Sequence, residues 1–449
     1  MKVESVFVCQ ECGAQSSKWL GRCPVCGGWN TMVEETRGER VPPAQTGDAA
    51  AVSLRDVEMD EDARMASGMS EVDRVLGGGF VAGEVALLGG DPGVGKSTLL
   101  LKVSGEIAGS RPVLYASGEE SLRQVAARAR RLEIDSEKLH LLSETNIEGV
   151  IAQAEKLDAG FLVVDSIQSA ATAALSSTPG SIAQVRACAA GVSDFAKSTG
   201  TPAVLIGHIT KGGMIAGPKT LEHMVDAVLY LEGEKYRHLK VLRAQKNRFG
   251  ATSEMALLEM TQRGLQAVEN PSAALLADRP ENAAGSVIGV AMQGTRPLLF
   301  EIQVLTSPSA FGLAKRMSVG VDRNRVQLLS AVLERALHIT LGDRDLFVNV
   351  VGGVALDEPA LDLPLCLAIA SSFFNRPLPQ EMAAFGEVGL TGEVRAAGRA
   401  AERSSEALTL GFTRCVLPST DFARLKEKAG SVNYTAVSTL EEAGSILFP

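Results

Sequence analysis

Nowhere in its 449 residues does the chain string together the roughly 18 uncharged apolar residues that a membrane-spanning helix requires. Its first residues lack the long apolar run and small-residue cleavage site of a secretion signal, and its last, Ser-Ile-Leu-Phe-Pro, lack a lipidation site. A soluble, cytoplasmic protein without a membrane partner is expected. Positive charge is in deficit: 44 Lys and Arg face 53 Asp and Glu, a net charge of −9. That balance argues against a basic protein that coats nucleic acid. Tryptophan is scarce, with two in the chain, and lysine is missing altogether from Met317 to Leu425. Apolar residues, at 45%, and charged residues, at 22%, are in ordinary supply, so real cores can be buried. At roughly 150 residues per domain the length suggests about three folding units. The 45 glycines exceed the usual ~7% and point to loops where backbone approaches a ligand.

The seven cysteines divide into four within the first 26 residues and three scattered singly, Cys188, Cys366 and Cys415. Cys9-Gln-Glu-Cys12 and Cys23-Pro-Val-Cys26 repeat the C-x2-C spacing, each followed by a glycine suited to a knuckle turn. Each pair can give two thiolates to one tetrahedral ion, and the ten residues between can fold as a hairpin. Four thiolates leave no open position, so the expected Zn²⁺ is structural. Trp19 and Trp29 are expected to enlarge the small core of this finger.

Residues 1–35 are read as the zinc finger, and 36–55, rich in Pro, Gly and charge without periodicity, as a linker. From 56 to 270 strands alternate with helices, the pattern of a parallel α/β sheet: Val85 to Gly90, Pro112 to Ala116, Phe161 to Asp165 and Ala203 to Gly207 read as buried strands. Beyond Asn270-Pro271 the rhythm changes. Strands near 286–291, 298–305 and 346–351, an apolar helix face from Leu328 to Leu337, a buried helix at 361–374 and a Gly-broken strand pair at 384–396 predict a further α/β domain over 272–449.

Gly90-Asp91-Pro92-Gly93-Val94-Gly95-Lys96-Ser97, followed by Thr98, matches the phosphate-binding loop G-x-x-x-x-G-K-[ST] between a strand and a helix. Its glycines let backbone N–H groups converge on phosphate at a helix N-terminus; Lys96 is placed for the β- and γ-phosphates and Ser97 for Mg²⁺. ATP is the expected nucleotide. Asp165 closes an apolar strand, where a Walker B aspartate holds Mg²⁺, although a strand-end Asp can also be a turn residue. Glu119 and Glu120 follow the strand ending at Ala116. Either is a candidate to activate the attacking water, with Glu119 preferred because Glu120 suits an acidic helix N-terminus.

Residues 207–250 carry eight Lys and Arg against four acids, a local surplus of four charges. The loop from Lys211 to Lys219 is basic and Gly-rich, fit either to contact DNA phosphates or to lie solvated at the surface. Lys246-Asn247-Arg248-Phe249-Gly250 places two cations within reach of one triphosphate, its own or a neighbouring subunit's.

The four-cysteine finger, this P-loop, the loop Gly207-His-Ile-Thr-Lys211 and above all Lys246 to Gly250 resemble the bacterial RadA (Sms) family of DNA repair proteins along essentially the whole chain. The resemblance implies a zinc finger, a RecA-like ATPase core and a C-terminal domain similar to the Lon protease domain. It further implies a hexameric, DNA-stimulated ATPase that moves on single-stranded and branched DNA and promotes branch migration with the RecA recombinase. By the same resemblance Cys9, Cys12, Cys23 and Cys26 hold zinc, Glu119 is the catalytic glutamate, Lys246 and Arg248 act on the neighbour's nucleotide, and His208 senses the γ-phosphate. A Lon-type protease needs a Ser nucleophile and a Lys base. Ala360 stands where that Ser would be, and the lysine-free stretch removes the base, so no proteolysis is expected. Lys315, Arg316, Arg323 and Arg325 are candidate DNA contacts, or ordinary surface charge. A nucleotide-gated DNA-binding scaffold is the non-enzymatic alternative.

Overall fold

A computed structural model describes residues 5–9, 14–25, 27–29, 31–36, 64–208, 219–233, 239–309, 314–352, 354–425 and 432–448. The chain divides into two compact units, Met1–Ala267 and Val268–Pro449. Among the described residues, no helix is long and apolar enough to cross a membrane.

The first unit begins with a three-stranded ribbon of β1 (Ser5–Cys9), β2 (Gln15–Ser16) and β3 (Met32–Thr36), ordered β2-β1-β3 and antiparallel throughout. Its interior is built from Cys9, Cys23 and Met32, with Phe7 and Ala14 packed against them. The expected role of the tryptophans is corrected here: Trp19 is 55% and Trp29 71% exposed. Among the described residues, the interior is filled by sulfur, one methionine, Phe7 and Ala14, and neither indole enters it.

After α1 (Ser70–Leu76) comes the α/β core: β4 (Val85–Gly89), α2 (Lys96–Ile107), β5 (Val113–Ser117), α3 (Leu122–Arg131), β6 (Leu139–Ser143), α4 (Ile147–Lys156), β7 (Phe161–Asp165), α5 (Ile182–Thr199), β8 (Ala203–Ile206), α6 (Lys219–Glu222) and β9 (Ala227–Glu232). A meander, β10 (Leu239–Asn247), β11 (Met255–Thr261) and β12 (Gly264–Ala267), extends the same sheet, whose order is β12-β11-β10-β9-β4-β8-β7-β5-β6. Strands β4 to β9 pair parallel and β9 to β12 antiparallel.

Every residue of β4, β5, β7 and β8 is buried. This is why these strands read as unbroken apolar runs: helices cover both faces of a parallel sheet. One core joins Leu88, Tyr115 and Val163 to α1, α2 and α3; the other joins Leu87, Leu114 and Val164 to α4 and α5. Local signals set the helix starts, with Asn146 and Ser181 side chains accepting from Gly149 N and Gln184 N. This is the parallel α/β core that the strand and helix pattern predicts.

The second unit contains α7 (Pro271–Leu276), β13 (Ser286–Gln293), β14 (Arg296–Pro308), β15 (Arg316–Val319), α8 (Arg323–Leu337), β16 (Arg344–Val350), α9 (Asp362–Phe374) and β17 (Met382–Ala384). It continues through β18 (Glu387–Val388), β19 (Val394–Arg395), α10 (Ala400–Thr409), β20 (Arg414–Pro418), α11 (Ser419–Leu425), β21 (Asn433–Val437) and α12 (Leu440–Leu447). Seven strands form a mixed sheet ordered β15-β16-β14-β13-β17-β20-β21. Helix α9, buried from Asp362 through Ser371, lies against it. Arg403, 1% exposed, is held there by the Glu358 carboxylate and by Val290 O at 2.6 Å.

Candidate active site

Because β4, β8, β7 and β5 are parallel neighbours, their C-terminal ends share one edge of the sheet. Gly90, His208 and Glu119 follow the ends of β4, β8 and β5, and Asp165 is the last residue of β7. The loop after β4 folds as the motif requires. A Cβ at Gly90 would stand 2.4 Å from Leu231 O, and one at Gly95, whose φ is +118°, would meet Met260 Cε at 2.8 Å. Asp91, Pro92 and Gly93 form its exposed tip, while Val94 is buried. Gly95 caps α2, so the first N–H groups of a 12-residue helix open into the loop beside Ser97 and Thr98. The Lys96 ammonium, 4% exposed, donates to Gly90 O at 2.7 Å and Asp91 O at 3.1 Å. Burial lowers its pKa, against the pull of Asp165, Asp91 and Glu119.

Asp165 is buried, and its Oδ2 accepts from the Tyr115 hydroxyl at 2.6 Å. Burial raises its pKa, opposed by hydrogen bonds from Tyr115 and Ser97. The sequence-predicted pair Ser97 and Asp165 therefore meets. A hydroxyl and a carboxylate side by side below the phosphate loop form an oxygen donor set that fits Mg²⁺. Glu119 and His208 also meet, with His208 Nε2 3.3 Å from Glu119 Oε1, and Ser166 Oγ donates to the same carboxylate oxygen. Glu120 is engaged elsewhere: Arg128 binds its carboxylate, and its own N–H donates to Ser117 Oγ at 3.0 Å.

Sequence reasoning missed Tyr115, Ser166 and Gln168, whose side-chain amide reaches His208 O at 3.4 Å. A signal existed for the first, since a phenol inside an apolar strand needs a hydrogen-bond partner. Chemically the edge offers an anion cradle, a buried cation, oxygen ligands for a divalent ion and a carboxylate held by two neighbours.

The two cations of Lys246 to Gly250 lie elsewhere. Strand β10 runs antiparallel to β9, and Asn247 pairs with Ala227, itself opposite Ala86 at the start of β4. Lys246 and Arg248 thus sit at the sheet edge opposite the P-loop, a strand length of roughly 13 Å or more away. Lys246 Nζ donates to Glu222 O and Val225 O, each at 2.7 Å, and Arg248 pairs with Asp226 at 3.2 Å while remaining 58% exposed. Asn247 fixes the corner by donating to Val75 O and Leu76 O.

Beneath this corner Glu84 is 2% exposed and accepts from Val81 N at 2.8 Å. Burial, with the nearby Asp226 charge, raises its pKa from 4.5 to about 7, against the Val81 bond and Arg64. A carboxyl whose pKa rises on folding stays protonated in the native state where the unfolded chain has already ionised, so stability is lost as pH rises from 4.5 to about 7 and levels off above. Glu84→Gln is expected to stabilise the protein at pH 8 by on the order of 3 kcal/mol, with the gain vanishing below pH 5. Urea unfolding at the two pH values measures it; equal effects at both would refute the assignment.

Cys9 and Cys23 enter one buried cluster. Around the second knuckle Cys23 N donates to Gly28 O, Gly27 N to Cys23 O, and Val25 N to Cys23 Sγ at 3.4 Å. An N–H directed at sulfur suits a thiolate, so the turn fits a zinc ligand; Cys12 and Cys26 lie outside the described residues. Lys211 also lies outside them, and of Lys219 only its place at the start of α6 is described.

In the second unit, Ala360 is buried in the Pro359–Leu361 turn with its carbonyl accepting from Gly386 N. Arg316 spends its guanidinium on Arg344 O at 2.6 Å and Leu341 O at 2.8 Å, and Arg325 is bound to the buried Asp362, which raises its pKa. Lys315 and Arg323 remain exposed.

Residues 7–34 match the rubredoxin metal binding domain and residues 50–214 an AAA domain. The DNA repair protein RadA of Bacillus subtilis (strain 168) is 46% identical over 454 residues, covering 98% of both chains. The DNA repair protein RadA of Pseudomonas aeruginosa is 46% identical over 453 residues, covering 100% of this chain and 99% of its own. The crystal structure of the RadB recombinase aligns with 45% of this chain and 99% of its own at 24% identity and TM-score 0.38. Similarity sustained from the ribbon through the second unit places every segment in one lineage: the chain belongs to the RadA family of DNA repair proteins.

Proposed function

We propose that the protein is a DNA-stimulated ATPase that works as a motor in recombinational repair, binding single-stranded and branched DNA and driving branch migration with the RecA recombinase. The observation that carries this reading is the alignment of Lys96, His208, Asp165 and Glu119 along one sheet edge, with Glu119 held by Ser166 and His208. A scaffold that used nucleotide only as a switch would need the cradle but not a positioned carboxylate. The N–H groups of the P-loop and Lys96 bind the triphosphate, and Ser97 and Asp165 would hold Mg²⁺, which supplies charge neutralisation on the phosphates. Glu119 orients the attacking water and takes its proton. His208, touching Glu119, couples that carboxylate to whatever occupies the γ-phosphate position.

Lys246 and Arg248 supply cations to the nucleotide of an adjacent subunit in a hexameric ring. Zinc in the Cys9, Cys12, Cys23 and Cys26 site is structural. The second unit serves as a non-proteolytic, Lon-like scaffold in which Lys315 and Arg323 are the DNA contacts best supported by their exposure. A cytoplasmic location follows from the same activity.

ATP hydrolysis is expected to rise several-fold on adding single-stranded DNA and to fall again with salt as phosphate contacts are lost. Steady-state ATPase assays with and without an oligonucleotide decide it. Equal rates would sink the motor reading and leave the nucleotide-gated scaffold.

A further inference from the structure

The chain has two tryptophans, and both lie on the N-terminal ribbon with their rings in solvent. Indole is among the costliest side chains to leave wet, and the ribbon's own core uses neither ring. The Trp19 ring lies over Gly21, where a Cβ would come within 3.6 Å of it. Next to Gly21, Arg22 bridges to Trp29 in the backbone, and its guanidinium stands 5.7 Å from the Trp29 ring centroid. Arg22 is fixed there by donating to Gly27 O at 3.0 Å. Lys18 is exposed alongside. From residue 14 to residue 33 there are two cations and no Asp or Glu, in a chain of net charge −9.

We infer that this face of the ribbon is a separate single-stranded-DNA contact, with bases stacked on Trp19 and Trp29 and phosphates met by Lys18 and Arg22. Flat exposed aromatics interleaved with cations suit unpaired bases, which present a π-face whatever their sequence. The strip's described exposed side chains are the two rings, Ser17, aliphatic Leu20, Pro24 and Val25, and the two cations, with no carboxylate among them, a charge that suits phosphate. The inference rests on the proposal that the chain acts on DNA, and adds a site remote in sequence from the ATPase loops.

Since both tryptophans are on the ribbon, intrinsic tryptophan fluorescence reports this face alone. Full-length protein is titrated with a fluorescein-labelled oligo(dT) of about 16 nucleotides, following tryptophan emission and label anisotropy together. Quenching with the same midpoint as the anisotropy rise is expected. Trp19→Ala and Trp29→Ala should each weaken binding about tenfold, and Lys18→Ala should lower the salt slope by about 0.7. An anisotropy rise with unchanged emission overturns the ribbon contact while leaving DNA binding intact. No change in either signal overturns DNA binding itself. Emission that responds only to an added protein, never to the oligonucleotide, makes the face a protein-docking surface and overturns the inference.

Discussion

Replacing Arg248 with alanine is expected to lower ATP turnover by about 10³-fold or more, and mixing that variant with Lys96→Ala protein is expected to restore part of it. The magnitude is that of a trans-acting arginine on a phosphoryl-transfer transition state. The geometry dictates the second half. In one chain Arg248 lies at the sheet edge opposite the P-loop, so it cannot approach its own Lys96 without unravelling β10 from β9. It is nonetheless more than half exposed and held by a single carboxylate, Asp226. An Arg248→Ala subunit keeps an intact phosphate loop, and a Lys96→Ala subunit keeps an intact arginine; only a shared interface can combine them. Steady-state ATPase of the mixture, with mixed assembly verified by mass, gives the answer. A mixture as inactive as either variant alone would make Arg248 a structural partner of Asp226. Lys246→Ala adds a refinement: full ATPase with lost strand exchange would assign it to coupling rather than hydrolysis.

The second large effect is at Glu119. Glu119→Gln keeps the shape and the hydrogen bond to Ser166 but cannot accept a proton, so kcat should fall about 10²–10⁴-fold while KM for ATP stays near its original value. Glu120→Gln is the internal control. Its carboxylate already belongs to Arg128 and lies outside the Ser166 and His208 contacts, so its loss should cost little turnover. Near-normal kcat in Glu119→Gln would show that another group activates the water. A rise in KM without loss of kcat would assign Glu119 to nucleotide binding alone.

These residues were legible in the sequence because the physics that places them is local. A strand buried on both faces must be apolar along its length, so Val85 to Gly89 and Phe161 to Asp165 announced themselves, and the side chains at their ends had to face the crevice. The glycines of the P-loop were equally readable, since backbone pressed against Leu231 O tolerates no side chain. Less legible was whatever depends on a partner far along the chain. Ser166 joins Glu119 across 47 residues, and Tyr115 joins Asp165 across 50. Arg316 and Arg325 looked like free surface cations because the carbonyls and the carboxylate that claim them arrive from β16 with the turn before it and from α9. The tryptophans misled for a different reason: composition says that indole prefers an interior, but not whether the fold places it in one.

The hydrogen bonds of Lys96 bear on how strongly the loop can hold an anion. A buried ammonium stripped of partners would cost several kcal/mol. Here the carbonyl oxygens of Gly90 and Asp91 offer it a parking place. The loop thus supplies both a cation suited to phosphate and two backbone oxygens that compete for that cation. Its grip on an anion is the difference between two attractions rather than the full strength of one, set by backbone geometry that no side-chain substitution removes.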